Sequence, residues 1–271
     1  MPVTIDHAGR VVLVTGAGAG IGREIARWFA RAGAAVAVND IDARRADDVV
    51  ADLRVTEGAR AIAVPADCRD ERAVDTMVAR AVDELGGLDV AVNNAGMLPP
   101  GRGVSAFVDM DTAYWRDVVD QNLVSAAACA RAEARHLVDR QRGGVILFVS
   151  SGETTRPSPY NAAYAAAKAA INHLTTTLAV ELGPSGVRVN AIAPGTTLTE
   201  SVRAAFTDDH VEAIVQSTPL RRMVDPDELG RLAVFLASDL ARCVTGQLLL
   251  ADAGAFLSRT RPANPSGEQP D

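Results

Sequence analysis

Short apolar runs alternate along the chain with longer stretches in which apolar residues recur every three or four positions. The runs RVVLVT (10–15), AAVAVN (34–39), RAIAVP (60–65), LDVAVNN (88–94), GVILFVS (144–150), VRVNAIAP (187–194) and GQLLLAD (246–252) are too short for helices. They are nearly continuous in Val, Ile, Leu and Ala, as strands covered on both faces of a parallel sheet must be. Amphipathic segments at about 20–32, 42–57, 69–85, 112–140, 158–182 and 226–238 lie between them and read as helices. Strand and helix alternate from end to end, which predicts an α/β fold: a Rossmann-type doubly wound parallel sheet of about seven strands, helices on both faces, in one domain over 1–257. The tail from Ser258, SRTRPANPSGEQPD, is rich in Pro and polar residues and reads as disordered.

Composition narrows the classes without naming one. At 271 residues the chain can bury a full core. A net charge of −7 excludes the basic footprint of non-specific nucleic-acid binding. The start MPVTIDHAGR has no apolar signal region, and no apolar run reaches the roughly 20 residues of a bilayer crossing. Cys68, Cys129 and Cys243 are scattered and form no CxxC pair, so neither a disulfide framework nor a metal site is expected. These features point to a cytoplasmic protein with neither nucleic acid nor membrane as partner.

The first strand runs directly into TGAGAGIG (15–22) and then a helical segment. Glycines let such a turn bring its backbone against a pyrophosphate, while the helix N-terminus faces the negative charge. Gly16, Gly18, Ala19, Gly20, Ile21 and Gly22 are therefore candidates for cofactor binding. The spacing, Gly16-x-x-x-Gly20-x-Gly22, departs from GxGxxG. Asp40, 18 positions beyond Gly22, ends the second strand where an acidic residue holds ribose hydroxyls. Its carboxylate would repel the 2′-phosphate of NADP, and neither Ala19 nor Ile41 supplies a cation, so NAD is favoured over NADP. Arg44 and Arg45 lie nearby but suit a solvated helix face, and a purely capping role fits Asp42 better than Asp40.

Lys168 is the one lysine among 27 Lys and Arg residues, and it stands four positions after Tyr164. On a helix the two share a face. A fixed ammonium beside a phenol favours the phenolate and lowers a pKa that is ordinarily near 10. Arg would not serve the same way, because its guanidinium is bulkier and rigid. Ser151, at the end of a strand and 13 positions before Tyr164, is placed to donate to a substrate oxygen, a spacing that prefers it to Ser150. VNNAG (92–96) closes another strand with small and amide residues suited to a wall against a cofactor.

Taken together, TGAGAGIG, NNAG, the Ser151…Tyr164-x-x-x-Lys168 set and PGTTLT (194–199) resemble the short-chain dehydrogenase/reductase family over about residues 8–257. The resemblance implies that Tyr164 is the general acid/base, that Lys168 lowers its pKa and bonds the nicotinamide ribose, and that Ser151 holds the substrate oxygen. It implies further that Asn122, in DQNLVSA, supports a proton-relay water to Lys168. Asp67 and Cys68 match positions that contact adenine, and Asn94, Ala95 and Gly96 positions that line the cofactor. Pro194, Gly195, Thr197 and Thr199 match the loop that grips the nicotinamide carboxamide, presenting one ring face, by resemblance the pro-S face. The family's late DGG reads Asp252-Ala253-Gly254 here, a turn whose change is expected to matter little.

Substrate choice is expected from the loop after Ser151 and from a lid at about 197–225, whose Val202, Ala205, Phe206, Val211, Ile214 and Val215 offer an apolar face. Met97, Leu98 and Tyr160 could add to the pocket, and Glu153 either meets a polar or cationic part of the substrate or is a solvated loop carboxylate. The expected activity is NAD-dependent interconversion of a hydrophobic secondary alcohol and its ketone. An NADPH-dependent oxoacyl-thioester reductase and a catalytically silent nucleotide-sensing regulator are the alternatives. Ala-rich faces in SAAACARAEA and AAYAAAKAA, with the family's habit, suggest a homotetramer or homodimer.

Overall fold

The computed structural model describes residues 4–99 and 101–257. The disorder expected for 258–271 lies outside the described residues. Seven parallel strands form one sheet: β1 (Val11–Val14), β2 (Ala35–Val38), β3 (Ala61–Ala63), β4 (Val90–Asn93), β5 (Gly144–Val149), β6 (Val187–Pro194) and β7 (Leu248–Ala251). Their order across the sheet is β3-β2-β1-β4-β5-β6-β7. The winding direction therefore reverses between β1 and β4, where Val12 lies beside Val36 on one side and Val90 on the other. This gap beyond the carboxyl ends is the place a doubly wound sheet offers a ligand.

The helices are α1 (Gly20–Arg31), α2 (Ala43–Thr56), α3 (Glu71–Leu85), α4 (Thr112–Val119), α5 (Ser125–Asp139), α6 (Ala162–Leu182), α7 (Glu200–Ala205), α8 (Asp208–Ser217) and α9 (Pro226–Ala237). One face of the sheet packs against α1, α2 and α9 through Ile25, Phe29, Leu53 and Leu229. The other packs against α3, α5 and α6 through Met77, Leu137 and Ile171. Each segment expected to be helical is helical, with one break. The segment 112–140 is split by a π-helical turn at Asp120–Val124, which carries the fully buried Asn122. None of the described helices is long and apolar enough to cross a membrane.

Asp side chains cap α2, α3, α4 and α9, through Asp42, Asp70, Asp111 and Asp225. By contrast α1 begins after Ala19 with no side-chain cap. A missing cap costs about 1 kcal/mol, whereas burying the side chains of Ile25 and Phe29 contributes about 1.5–3 kcal/mol each. Packing thus outweighs the missing cap, and no N-cap side chain covers the first turn of α1.

Candidate active site

The switch point is tied together by Thr15. Its hydroxyl accepts from the backbone N–H groups of Asn94 (3.0 Å) and Ala95 (3.1 Å). In return, Asn94 Nδ2 donates to the carbonyls of Thr15 and Gly16, both at 3.0 Å. The glycine turn and the Asn94–Gly96 segment are therefore one unit. A Cβ at Gly22 would stand 2.3 Å from the Gly16 carbonyl oxygen, and one at Gly18 2.6 Å from Asp40 Oδ2, so neither position has room for a side chain. At the start of α1 the Gly20 N–H donates to the Glu200 carboxylate, while no N-cap side chain covers Ile21 and Gly22, backbone donors of the kind a pyrophosphate takes.

Asp40 is buried, and its carboxylate accepts from the N–H groups of Gly18 and Asp42, each at 3.0 Å. Ile41 beside it is exposed. As expected, capping falls to Asp42, which accepts from the Arg44 N–H at 2.9 Å. Arg45 pairs with Asp42 at 3.7 Å, and its side-chain stem passes against Gly18. Cys68 is buried and donates to Asn39 Oδ1 at 3.4 Å, while the Asp67 carboxylate pairs with Arg69 at 2.6 Å, which holds it below its usual range. After Pro194, the Gly195 N–H donates to the Ala251 carbonyl at 3.0 Å and the Thr197 hydroxyl to the Gly195 carbonyl at 2.9 Å. Thr199 caps α7 and turns its methyl toward Gly20, and an ion pair of Arg23 with Glu200 joins α1 to α7. The structure thus brings the glycine turn and the PGTTLT loop face to face.

At the other end of the crevice, Ser151, Tyr164, Lys168 and Asn122 converge. Ser151 is buried, and its hydroxyl accepts from the Glu153 N–H at 3.2 Å and donates to the phenol of Tyr164. Lys168 is buried; its ammonium donates to the Val149 carbonyl at 2.9 Å and sits 5.8 Å from the centre of the Tyr164 ring. Asn122 donates to the carbonyls of Met97 (3.0 Å) and Val118 (2.9 Å), whereas its buried Oδ1 has no hydrogen-bond donor. A Cβ at Gly96 would stand 3.0 Å from both that oxygen and the Lys168 nitrogen. Gly96 thus keeps clear a spot flanked by an unpartnered acceptor and a buried ammonium. Ser150, the rejected rival, is spent on structure: its hydroxyl donates to Asn172 Oδ1 at 2.5 Å.

Burial governs both members of the Tyr164–Lys168 pair in this arrangement. Burial pushes the phenol up to about 12, helped by the negative charge of Glu153 and only partly offset by Ser151. Burial also draws the Lys168 ammonium down to about 8. The physical reason is that both groups are desolvated while the ammonium is turned to a strand-end carbonyl rather than to the phenol. Glu153 is half-buried, and its negative charge reaches the phenol.

The expected substrate residues are less well gathered. Met97 and Tyr160 are exposed, and the Tyr160 backbone is held in the left-handed region at φ 64° with its carbonyl accepting from the Ser105 N–H at 2.9 Å. Phe206 packs edge-on against His210, ring centres 4.4 Å apart, within the 200–217 segment. Of the apolar stripe there, Ile214 alone is buried. Sequence reasoning passed over Thr15, although it opens the glycine motif, and over Glu133. Glu133 on α5 is fully buried and accepts from Asn93 Nδ2 at 2.7 Å, leaving Glu133 Oε1 and Asn93 Oδ1 without donors. A charged residue in an Ala-rich helix face was the available signal.

A family model described as enoyl-(acyl carrier protein) reductase matches residues 16–255. The 7α-hydroxysteroid dehydrogenase of Escherichia coli is 37% identical over 246 residues, 91% of this chain and 94% of that protein. The L-rhamnose 1-dehydrogenase (NAD(P)(+)) of Azotobacter vinelandii is 39% identical over 253 residues, covering 92% and 97%. A solved 7α-hydroxysteroid dehydrogenase complexed with NADH and 7-oxo glycochenodeoxycholic acid superposes with a TM-score of 0.87 at 36% identity, over 92% of this chain and 95% of that one. The chain belongs to the short-chain dehydrogenase/reductase family.

The buried carboxyl of Glu133 makes a prediction about stability. Desolvation raises it from 4.5 to about 7, so the folded protein holds this proton more tightly than the unfolded chain. Its contribution is full below about pH 4.5 and is lost as pH rises through about 7, a difference of about 3 kcal/mol at most. Denaturant melts from pH 4.5 to 7.5 should show this decline in the wild type and not in Glu133→Gln. Parallel profiles for the two would contradict the assignment.

Proposed function

We propose that the chain is a cytoplasmic NAD-dependent dehydrogenase that interconverts a secondary alcohol and its ketone, working as a homo-oligomer. The observation that carries this reading is the Ser151 hydroxyl bonded to the Tyr164 phenol, one helical turn from the buried Lys168, in the crevice headed by the glycine turn. NAD, once bound, supplies the acceptor for the hydride leaving the alcohol carbon. The first-turn amides of α1 would hold its pyrophosphate, and Asp40 its adenosine ribose; a buried carboxylate there supports NAD over NADP. Ser151 would fix the alcohol oxygen and Tyr164 Oη would take its proton.

A phenol near 12 keeps its proton in neutral water, so the site needs positive charge close to Tyr164 when it works. Lys168 is the buried cation available, and it can serve only if its ammonium engages the site rather than the Val149 carbonyl alone. A water donating to Asn122 Oδ1 in the gap beside Gly96 would give that ammonium a second partner and lead protons outward. Exposed Val180, Leu248 and Leu250 support association with further copies. The named 7α-hydroxysteroid dehydrogenase supports a cyclic secondary alcohol as the substrate class. The segment 197–225, with its half-covered apolar stripe, would be the lid.

Absorbance of NADH, followed with NAD⁺ or NADP⁺ over a panel of secondary alcohols, tests the reading. Turnover with NAD⁺ is expected, and Tyr164→Phe should lower it by about 10²–10⁴-fold while NADH still binds. Full activity in that variant would remove Tyr164 from its role. Asp40→Ala should shift the NAD⁺/NADP⁺ ratio of kcat/KM toward NADP⁺ by about tenfold or more, an amount equal to one lost or relieved charge contact. An unchanged ratio would place the discriminating group elsewhere.

A further inference from the structure

The last described turn of the chain, Ala255–Leu257, folds back onto the residue that follows Ser151. A Cβ at Gly152 would stand 2.2 Å from Phe256 Cε2, so the Phe256 ring lies directly on the Gly152 α-carbon, and glycine is there because the ring is. The Arg156 guanidinium covers one face of that ring at 4.3 Å from its centre, and Arg156 Nη1 donates to the Ala255 carbonyl at 3.2 Å. The turn itself is held by Asp252, a buried carboxylate whose two oxygens accept from the N–H groups of Gly254 (2.9 Å) and Phe256 (2.8 Å). On its far side the Ala253 carbonyl accepts from the Leu220 N–H at 3.2 Å, and Gly254 lies against Pro219. Ala253 takes a left-handed backbone, φ 54°, in the place where the family has glycine, at a cost of about 1–2 kcal/mol. Such strain persists only where the surroundings over-determine the conformation.

Resting on the reading of the site given above, we infer that Phe256 is a specificity-determining wall of the alcohol pocket, seated beside Ser151 by Gly152, Arg156 and Asp252. The ring is only partly buried, so with Gly152 against it and Arg156 on one face it still offers apolar surface at the residue that follows Ser151. An apolar, flat wall one residue from the serine takes a hydrocarbon ring and offers the hydroxyls of a sugar no hydrogen bond. The substrate class is therefore an alicyclic secondary alcohol with a hydrocarbon body adjacent to its carbinol carbon. Because the segment 219–220 is bonded to the same turn, the wall also couples the candidate lid to the Ser151 loop.

The test compares cyclohexanol with a pyranose of similar size, in wild type, Phe256→Ala, Phe256→Leu, Gly152→Ala and the Gly152→Ala/Phe256→Ala double variant. Wild type should prefer cyclohexanol. Phe256→Ala should raise KM for cyclohexanol by about tenfold or more, the worth of a methylene or two in an apolar pocket, with kcat and NADH affinity little changed, and Leu should restore most of it. Gly152→Ala should be severely impaired alone yet nearly silent in the Phe256→Ala background, since the ring it displaces is already gone. An unchanged KM in Phe256→Ala, a preference for the pyranose, or additive losses in the double variant would overturn the inference. Should the wild type turn over no alcohol, it is the functional reading that fails. The clasp is then judged by hydrogen exchange at the amides of Thr154 and Thr155, which bond the Ser151 and Gly152 carbonyls. Their exchange should accelerate by about tenfold or more in Phe256→Ala, and unchanged exchange would overturn the clasp as well.

Discussion

One ammonium, buried beneath the carboxyl edge of a parallel sheet, sets the terms for everything around it. A charge taken out of water is costly unless its hydrogen bonds are met, and the Val149 carbonyl at the end of β5 accepts from Lys168 at 2.9 Å. Meeting that need fixes the register of α6 against β5, and with it Tyr164 one turn earlier. The same demand explains the small residues nearby. Gly96 leaves the gap between Lys168 and Asn122 open, and the π-helical turn at Asp120–Val124 delivers Asn122 into the interior with an acceptor still free. π-helical turns of this kind recur at functional sites because they re-aim a side chain without ending the helix.

The other end of the crevice solves the opposite problem, that of receiving an anion. Helices α2, α3, α4 and α9 carry Asp caps, while α1, like α5 and α6, has no side-chain cap and relies on Ile25 and Phe29 for its stability. Thr15 and Asn94 bind the two strand ends at the topological switch into one rigid unit, so that the amides at the start of α1 keep their direction.

Much of this was legible in the sequence. The seven strands announced themselves as unbroken Val/Ile/Leu/Ala runs because both faces of the sheet are covered, and motif spacing placed Ser151, Tyr164, Lys168 and Asn122 without any coordinates. What stayed hidden depends on contacts between distant segments. The notch at Gly152 has meaning only once Phe256, 104 positions later, is seen to fill it. Glu133 looked like one charge on an Ala-rich helix, and only its burial against Asn93 shows a carboxyl near 7. Helical spacing likewise says that Tyr164 and Lys168 share a face but not that the ammonium bonds the Val149 carbonyl.

The lone lysine makes the central claim directly measurable. In protein labelled with ¹³C at lysine, the ε-carbon yields a single side-chain resonance, and its titration reports Lys168 with no assignment step. The account predicts a midpoint of about 8 in the free protein, well below the ordinary 10.5, and a shifted resonance when NAD⁺ is added. A midpoint near 10.5 that ignores NAD⁺ would show an ammonium in water, away from any cofactor, and the site described here would not stand.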